Sequence, residues 1–86
     1  LMDQYLVEVR VPALGRRFDA RLPNDITFGQ AAQLLWSMAQ KLPDNTETAP
    51  DAGNRRLYRL DSGKAWPTDA LIAKSDLRNG DQLLLF

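Results

Sequence analysis

An α+β fold of several short strands and one helix is the fold class this sequence predicts, on three observations. The chain opens on an apolar alternation, carries one capped amphipathic helix, and closes on a Leu-rich alternation. Its 86 residues allow a single domain over 1–86, since a chain this short buries only about 60–65% of its unfolded surface and cannot divide its core.

From Tyr5 to Val11, Tyr5, Val7, Val9 and Val11 share one face while Leu6, Glu8 and Arg10 take the other, the period of a half-buried strand. Pro12 ends it and Gly15 permits a positive φ. Phe18, Ala20 and Leu22 then alternate with Arg17, Asp19 and Arg21 as the second arm of a hairpin. Thr27 followed by Gln30 has the spacing of a capping box, so the spacing predicts a helix over about 27–42. Its stripe is Phe28, Ala31, Ala32, Leu35, Met38, Ala39 and Leu42, with Leu34 and Trp36 at the two edges.

Pro43 stops the helix, and the polar, turn-rich run over about 43–55 is expected to be a long mobile loop. Leu57 to Leu60 restores a strand, Asp61-Ser62-Gly63 turns it, and Lys64 to Trp66 returns ahead of Pro67, a second and smaller hairpin. The pattern leaves open which side of Leu57–Leu60 faces inward. A single helical turn is expected at Thr68–Leu71, and Asn79-Gly80 supplies a turn before a final strand from Gln82 to Phe86. The order is therefore β-β-α-β-β-turn-β.

Composition narrows function. Hydrophobic residues at 44% against 26% charged place the chain among folded proteins rather than disordered ones. Eleven Lys and Arg balance eleven Asp and Glu, so no global field draws the chain to nucleic acid or an anionic membrane. Cys and His are both absent, which removes thiolate nucleophiles, imidazole bases and the usual zinc ligands together. The remaining candidates, Asp19, Asp25, Asp61, Asp69, Asp76, Asp81 and Lys64, include three Asp at turn and cap positions that favour Asp for structural reasons. No enzyme activity, metal or cofactor is expected. No apolar run is long enough to span a bilayer and no signal peptide pattern opens the chain, so a cytoplasmic protein without direct membrane insertion is expected.

The order of elements, Asp25-Ile26-Thr27-Phe28 at the helix entry, and the ending Leu77-Arg78-Asn79-Gly80-Asp81-Gln82-Leu83-Leu84-Leu85 resemble ubiquitin-like domains. With the early Val-rich strand, Phe18-Asp19-Ala20-Arg21-Leu22-Pro23 and Trp36, the chain is similar to the YukD-like family. These are small bacterial ubiquitin-like proteins associated with type VII (ESX/WXG) secretion systems. The resemblance implies a β-grasp fold, a mixed sheet wrapped around the helix with the first and last strands adjacent and parallel. It also implies a cytosolic accessory that contacts other proteins, secretion membrane or ATPase components among them. Related domains are fused to the ESX membrane channel component, so an excised domain of that kind is one alternative. An adaptor unrelated to secretion is another. The sequence ends Leu83-Leu84-Leu85-Phe86 rather than in Gly-Gly, so conjugation as a modifier is not expected.

For a contact surface, alternation through Leu83 and Leu85 turns Leu84 and Phe86 to the other sheet face, beside Leu6 and Leu57. These four and Trp36 are the candidate protein-contact residues. Trp66, ahead of Pro67, reads as structural. Arg10, Arg16, Arg17 and Arg21 on the first hairpin, with Arg55, Arg56 and Arg59, predict an uneven basic surface. Without a nucleic-acid motif, no nucleic-acid partner is expected.

Overall fold

A computed structural model of the chain describes residues 4–41 and 55–86. The strands are β1 (Gln4–Val11), β2 (Arg16–Pro23), β3 (Leu57–Arg59) and β4 (Gln82–Leu85), and the helix α1 is Phe28–Gln40. Among the described residues these strands form one sheet in the order β2-β1-β4-β3. β1 pairs antiparallel with β2 and parallel with β4, and β3 pairs antiparallel with β4. This is the mixed sheet packed against one helix expected of a ubiquitin-like β-grasp fold.

The alternation in β1 and β2 sets the inner face. Val7, Val9, Val11, Ala20 and Leu22 are buried and meet Leu57, Leu83 and Leu85 from the other two strands. Against them α1 lays Phe28, Ala31, Ala32, Leu35, Trp36 and Ala39. Alanines at three of these positions let the helix backbone approach the branched side chains of β1. Trp36 is fully buried and Met38 is exposed, which reverses their expected places at the edge and within the stripe. At about 100° per residue the stripe centres between Ala32 and Leu35, and Trp36 lies nearer that centre than Met38. The Arg55 guanidinium, 3.5 Å over the Trp36 ring, closes off its outer side.

Four amides at the start of an α-helix lack partners within the helix, and here each one finds an acceptor. The Gln30 amide donates to Thr27 Oγ1 at 3.1 Å, and Gln30 Oε1 accepts from the Thr27 amide at 3.0 Å, so the expected capping box is present. The Ala31 amide bonds the Thr27 carbonyl. The Phe28 and Gly29 amides donate to the Ala70 and Thr68 carbonyls at 3.0 and 2.8 Å. Residues 68–70 therefore act as a backbone cap while forming a single turn, closed by the Ala70 amide on the Pro67 carbonyl at 3.2 Å, and a 3-10 turn follows at Ile72–Lys74. The helix ends at Gln40 with Lys41 as its C-cap, while Leu42 and nearly all of the expected mobile loop at 43–55 lie outside the described residues.

The expected second hairpin is reduced to one bridge, Tyr58↔Ala65, after a turn in which Gly63 has φ 70°. Pro67 has no N–H to extend a ladder, and Trp66 turns into the core instead. The Trp66 ring stacks on Phe28 with centroids 4.8 Å apart, and its Nε1–H donates to Asp76 Oδ1 at 2.9 Å. Arg59 ties this corner together, holding Asp76 at 3.2 Å and Asp81 at 3.1 Å and lying 5.0 Å from the Trp66 ring.

Two outcomes follow for stability. A Cβ at Gly29 would stand 2.9 Å from the Thr68 carbonyl oxygen and 3.2 Å from its Cβ. The helix-propensity gain of Gly29→Ala, about 1 kcal/mol, is outweighed by a backbone clash costing about 1–3 kcal/mol. Urea unfolding is therefore expected to show a net loss.

The Trp66 hydrogen bond, helped by the Arg59 and Lys64 charges and opposed by desolvation, holds the Asp76 carboxyl below its ordinary value. A depressed folded-state pKa contributes stability above the unfolded-state value of about 3.9 and loses it as pH falls through the folded-state pKa. Asp76→Asn is expected to lower the urea midpoint at pH 7, with a gap that narrows as pH falls below 4. A gap unchanged at the acid end would show that the charge is not responsible.

Candidate functional site

The sheet face turned away from α1 is built by the second phase of each strand's alternation. Register sets Arg21 beside Leu6, then Asp19, Glu8 and Gln82 in one row, then Arg17, Arg10, Leu84 and Tyr58 in the next. Arg56 and Phe86 exchange backbone hydrogen bonds beyond the end of β3, which adds an outer rung. The Phe86 ring meets Tyr58 edge-on at 5.6 Å.

Of the five candidate contact residues, Leu6 and Phe86 are exposed and Leu84 is half-buried on this face. Leu57 and Trp36 are not on it. Leu57 is 1% exposed and Trp36 2%, so both are core residues and offer a partner nothing. The reason for Leu57 is its register with Leu85, which points inward: directly opposed residues share a sheet face.

Nor do the remaining three form one patch. The Asp19–Glu8–Gln82 row separates Leu6 from Leu84, and Gln82 Nε2 donates to Glu8 Oε1 at 2.9 Å along it. Leu6 lies instead beside Arg21 and Asn79 in a shallow hollow of about 290 Å³. Leu84, Phe86 and Tyr58 make the apolar cluster. Tyr58 is the member that sequence reading missed, because the inward side of a three-residue strand has no period of its own.

The basic residues divide in the same manner. Arg55 covers Trp36 and Arg59 holds two carboxylates, so both are structural. Arg10 and Arg17 face each other across the hairpin, sharing Glu8 at 3.6 and 3.9 Å, while Arg16, Arg21 and Arg56 have no carboxylate within 4.0 Å among the described residues. Arg10, Arg16 and Arg17 border a hollow of about 450 Å³ whose floor includes Val11, Pro12 and Leu84. A second hollow of about 450 Å³, between the start of α1 and Arg55–Arg56, is lined by Thr27, Gln30, Gln33 and Thr68 and holds no acidic or nucleophilic cluster.

The backbone of Leu6 and Glu8 bonds towards 79–81, so β1 pairs with β2 through its odd-numbered residues. The amides of Arg17, Asp19 and Arg21 are left on the free edge of the sheet. Charged side chains at all three discourage another strand from pairing there.

Among the described residues, no group of three or more carboxylates converges as a metal site. Asp76 and Asp81 meet through Arg59, Asp19 stands opposite Glu8 alone, and Asp25, Asp61, Asp69 and Lys64 are exposed. No helix of the described residues is long and apolar enough to cross a membrane.

The family described as WXG100 protein secretion system (Wss), protein YukD, matches residues 6–85. No curated protein matches the chain. Similar solved structures include a chain of the toluene 4-monooxygenase HD complex with 4-bromobenzoate, at TM-score 0.75 and 18% identity over 95% of each chain. A Caldiarchaeum subterraneum ubiquitin aligns at TM-score 0.67 and 18% identity, over 95% of this chain and 90% of that one. A chain of the MycP5-free ESX-5 inner membrane complex aligns at TM-score 0.68 and 17% identity, over 99% of this chain and 21% of that one. At these identities the likeness is one of fold.

The sorting of candidates has a direct check. Leu57→Ala should cost about 2–5 kcal/mol in urea unfolding, as a large-to-small change in a packed core does. Leu6→Ala should stay within about 0.5 kcal/mol, as exposed changes do.

Proposed function

The chain belongs to the YukD family, and we propose that it is a non-enzymatic ubiquitin-like module acting by protein contact, as a cytoplasmic accessory of a type VII secretion system. The observation that carries this reading is the open sheet face. Tyr58, Leu84 and Phe86 sit together there, outside the core and beside cations, in a chain whose described residues gather no group of three or more carboxylates that could hold a metal. Tyr, Phe and Arg are enriched in protein interfaces, Tyr and Arg also in binding hot spots, and Leu84 adds apolar area between them. The partners proposed are secretion membrane or ATPase components.

A second reading has one observation in its favour. The ESX-5 inner membrane complex contains a chain of which a region of this fold makes up about a fifth, and the alternative proposal is therefore a domain joined to a membrane component. Both readings use the same face.

The test is capture of the tagged chain from its native host after gentle lysis, beside a Leu84→Ser/Phe86→Ser variant shown by circular dichroism to stay folded. Recovery of secretion membrane or ATPase components with the parent chain, and their loss with the variant, is the expected result. Equal recovery with both proteins moves the contact off this face. Absence of any secretion component with either one overturns the secretion role.

A further inference from the structure

We propose that the Arg10–Arg17 end of the open face is a docking site for an acidic segment of a partner protein, whose carboxylates lie on the two guanidinium groups and whose apolar side chain covers Leu84. The inference rests on the contact reading above and names the chemistry of the partner.

The first ground is a like-charge pair. Arg10 and Arg17 are direct cross-strand partners. Because β1 pairs with β2 through its odd-numbered residues, this is a non-hydrogen-bonded pair, the type in which Cα atoms approach to about 4.5 Å and side chains are closest. Like charges directly opposed in such a pair are destabilising. Glu8, within 4.0 Å of both, offsets part of that repulsion, and one carboxylate is left to serve two cations.

The second ground is unspent hydrogen-bonding capacity. Each guanidinium carries five N–H donors. Among the described residues Glu8 is the one carboxylate within 4.0 Å of either, at 3.6 Å from Arg10 and 3.9 Å from Arg17, beyond hydrogen-bond distance in both cases. Arg10 Nε is buried and has no hydrogen-bond partner among the described residues, so the donors open to a partner are the terminal N–H groups of the two side chains. A second carboxylate would neutralise the pair and accept from donors that Glu8 does not reach.

The third ground is shape and charge. The hollow beside the pair holds about 450 Å³, with Arg16 at its rim and Val11, Pro12 and Leu84 below. The face as a whole carries Arg10, Arg17, Arg21 and Arg56 against Glu8 and Asp19, an excess of two positive charges on a chain with none overall. Leu84, with Tyr58 and Phe86 next to it, adjoins the cations directly. A polypeptide alternating acidic and apolar side chains satisfies both halves. A phosphate polymer would satisfy the cations and leave Leu84 uncovered.

The test titrates the isotope-labelled full chain with a short synthetic peptide alternating Glu and Leu, following backbone and Arg side-chain NMR signals at low and physiological ionic strength. Peptides alternating Lys with Leu and Glu with Ser, and oligothymidylate as a phosphate polymer, serve as comparisons. The Glu–Leu peptide should shift Arg10, Arg17, Tyr58 and Leu84, bind more weakly as salt rises, and outbind every comparison. Arg17→Glu gives up the Glu8 contact while opposing Arg10 with a charge of the other sign, so it should leave the melting temperature near the parent's while weakening the peptide by about tenfold or more. Arg17→Lys should retain most of the binding.

A loss of binding without a matching loss of stability is a pairing that a purely structural role does not produce. Tighter binding of oligothymidylate at the same residues would replace the acidic partner with a phosphate one. Shifts confined elsewhere, or an Arg17→Glu chain that binds unchanged, would overturn the proposal. Secretion components captured equally by the parent and Arg17→Glu chains would sink this site while leaving the proposed function standing.

Discussion

The parallel pairing of β1 with β4 is the constraint on which the other contacts depend. It brings the start of the described chain against its end and places Leu83 and Leu85 beside the β1 valines at the centre of the sheet. A parallel pair cannot be closed by a tight turn and requires a long crossover, and α1 lies on that crossover across the inner face. The turn before β4 is fastened to the same strand: the Gly80 amide donates to the Leu6 carbonyl at 2.7 Å, and Asn79 Oδ1 accepts from the Leu6 amide at 2.6 Å. Gly80, at φ 89°, supplies the left-handed geometry that this turn needs.

The segment between β3 and β4 does work out of proportion to its lack of regular structure. Its carbonyls at 68 and 70 complete the helix N-terminus, Ile72 and Leu77 close the bottom of the core, and Trp66 covers Phe28. Arg59 then links β3 to both Asp76 and Asp81, so the corner is held by charge where apolar area is limited. In the Asp81 pair both side chains are under 20% exposed and water screens it little, whereas the Asp76 carboxylate is 68% exposed and its pair is closer to an ordinary surface ion pair.

The inner face and this corner absorb most of the large apolar residues; Leu34 and Met38 of α1 and Leu71 are exposed elsewhere, and the open sheet face keeps a small set. Tyr58, Leu84 and Phe86 stand together and Leu6 stands apart, with a polar row between. The cations separate likewise, into Arg55 and Arg59 that support the core and Arg10 and Arg17 that face solvent as an under-satisfied pair. That separation makes one end of one face a better contact surface than the rest of a chain with no net charge.

Much of this was legible in the sequence, wherever a period and a cap coincide. The alternation of β1 and β2, the Thr27–Gln30 box and the inward phase of Leu83 and Leu85 are local properties, settled by backbone geometry and side-chain type within a few residues. So is the outward phase of Leu6, Leu84 and Phe86. The burial of Leu57 was not legible, because three residues of strand carry no usable period and only pairing with Leu85 chooses the face. Trp36 became core through the helix's rotation on the sheet and the guanidinium laid over its ring. The backbone cap from residues 68–70, the opposition of Arg10 and Arg17, and the polar row that isolates Leu6 all join residues distant along the chain or set on different strands. Short-range preferences hold no information about such pairs; register between strands decides them, and register exists only once the sheet has formed.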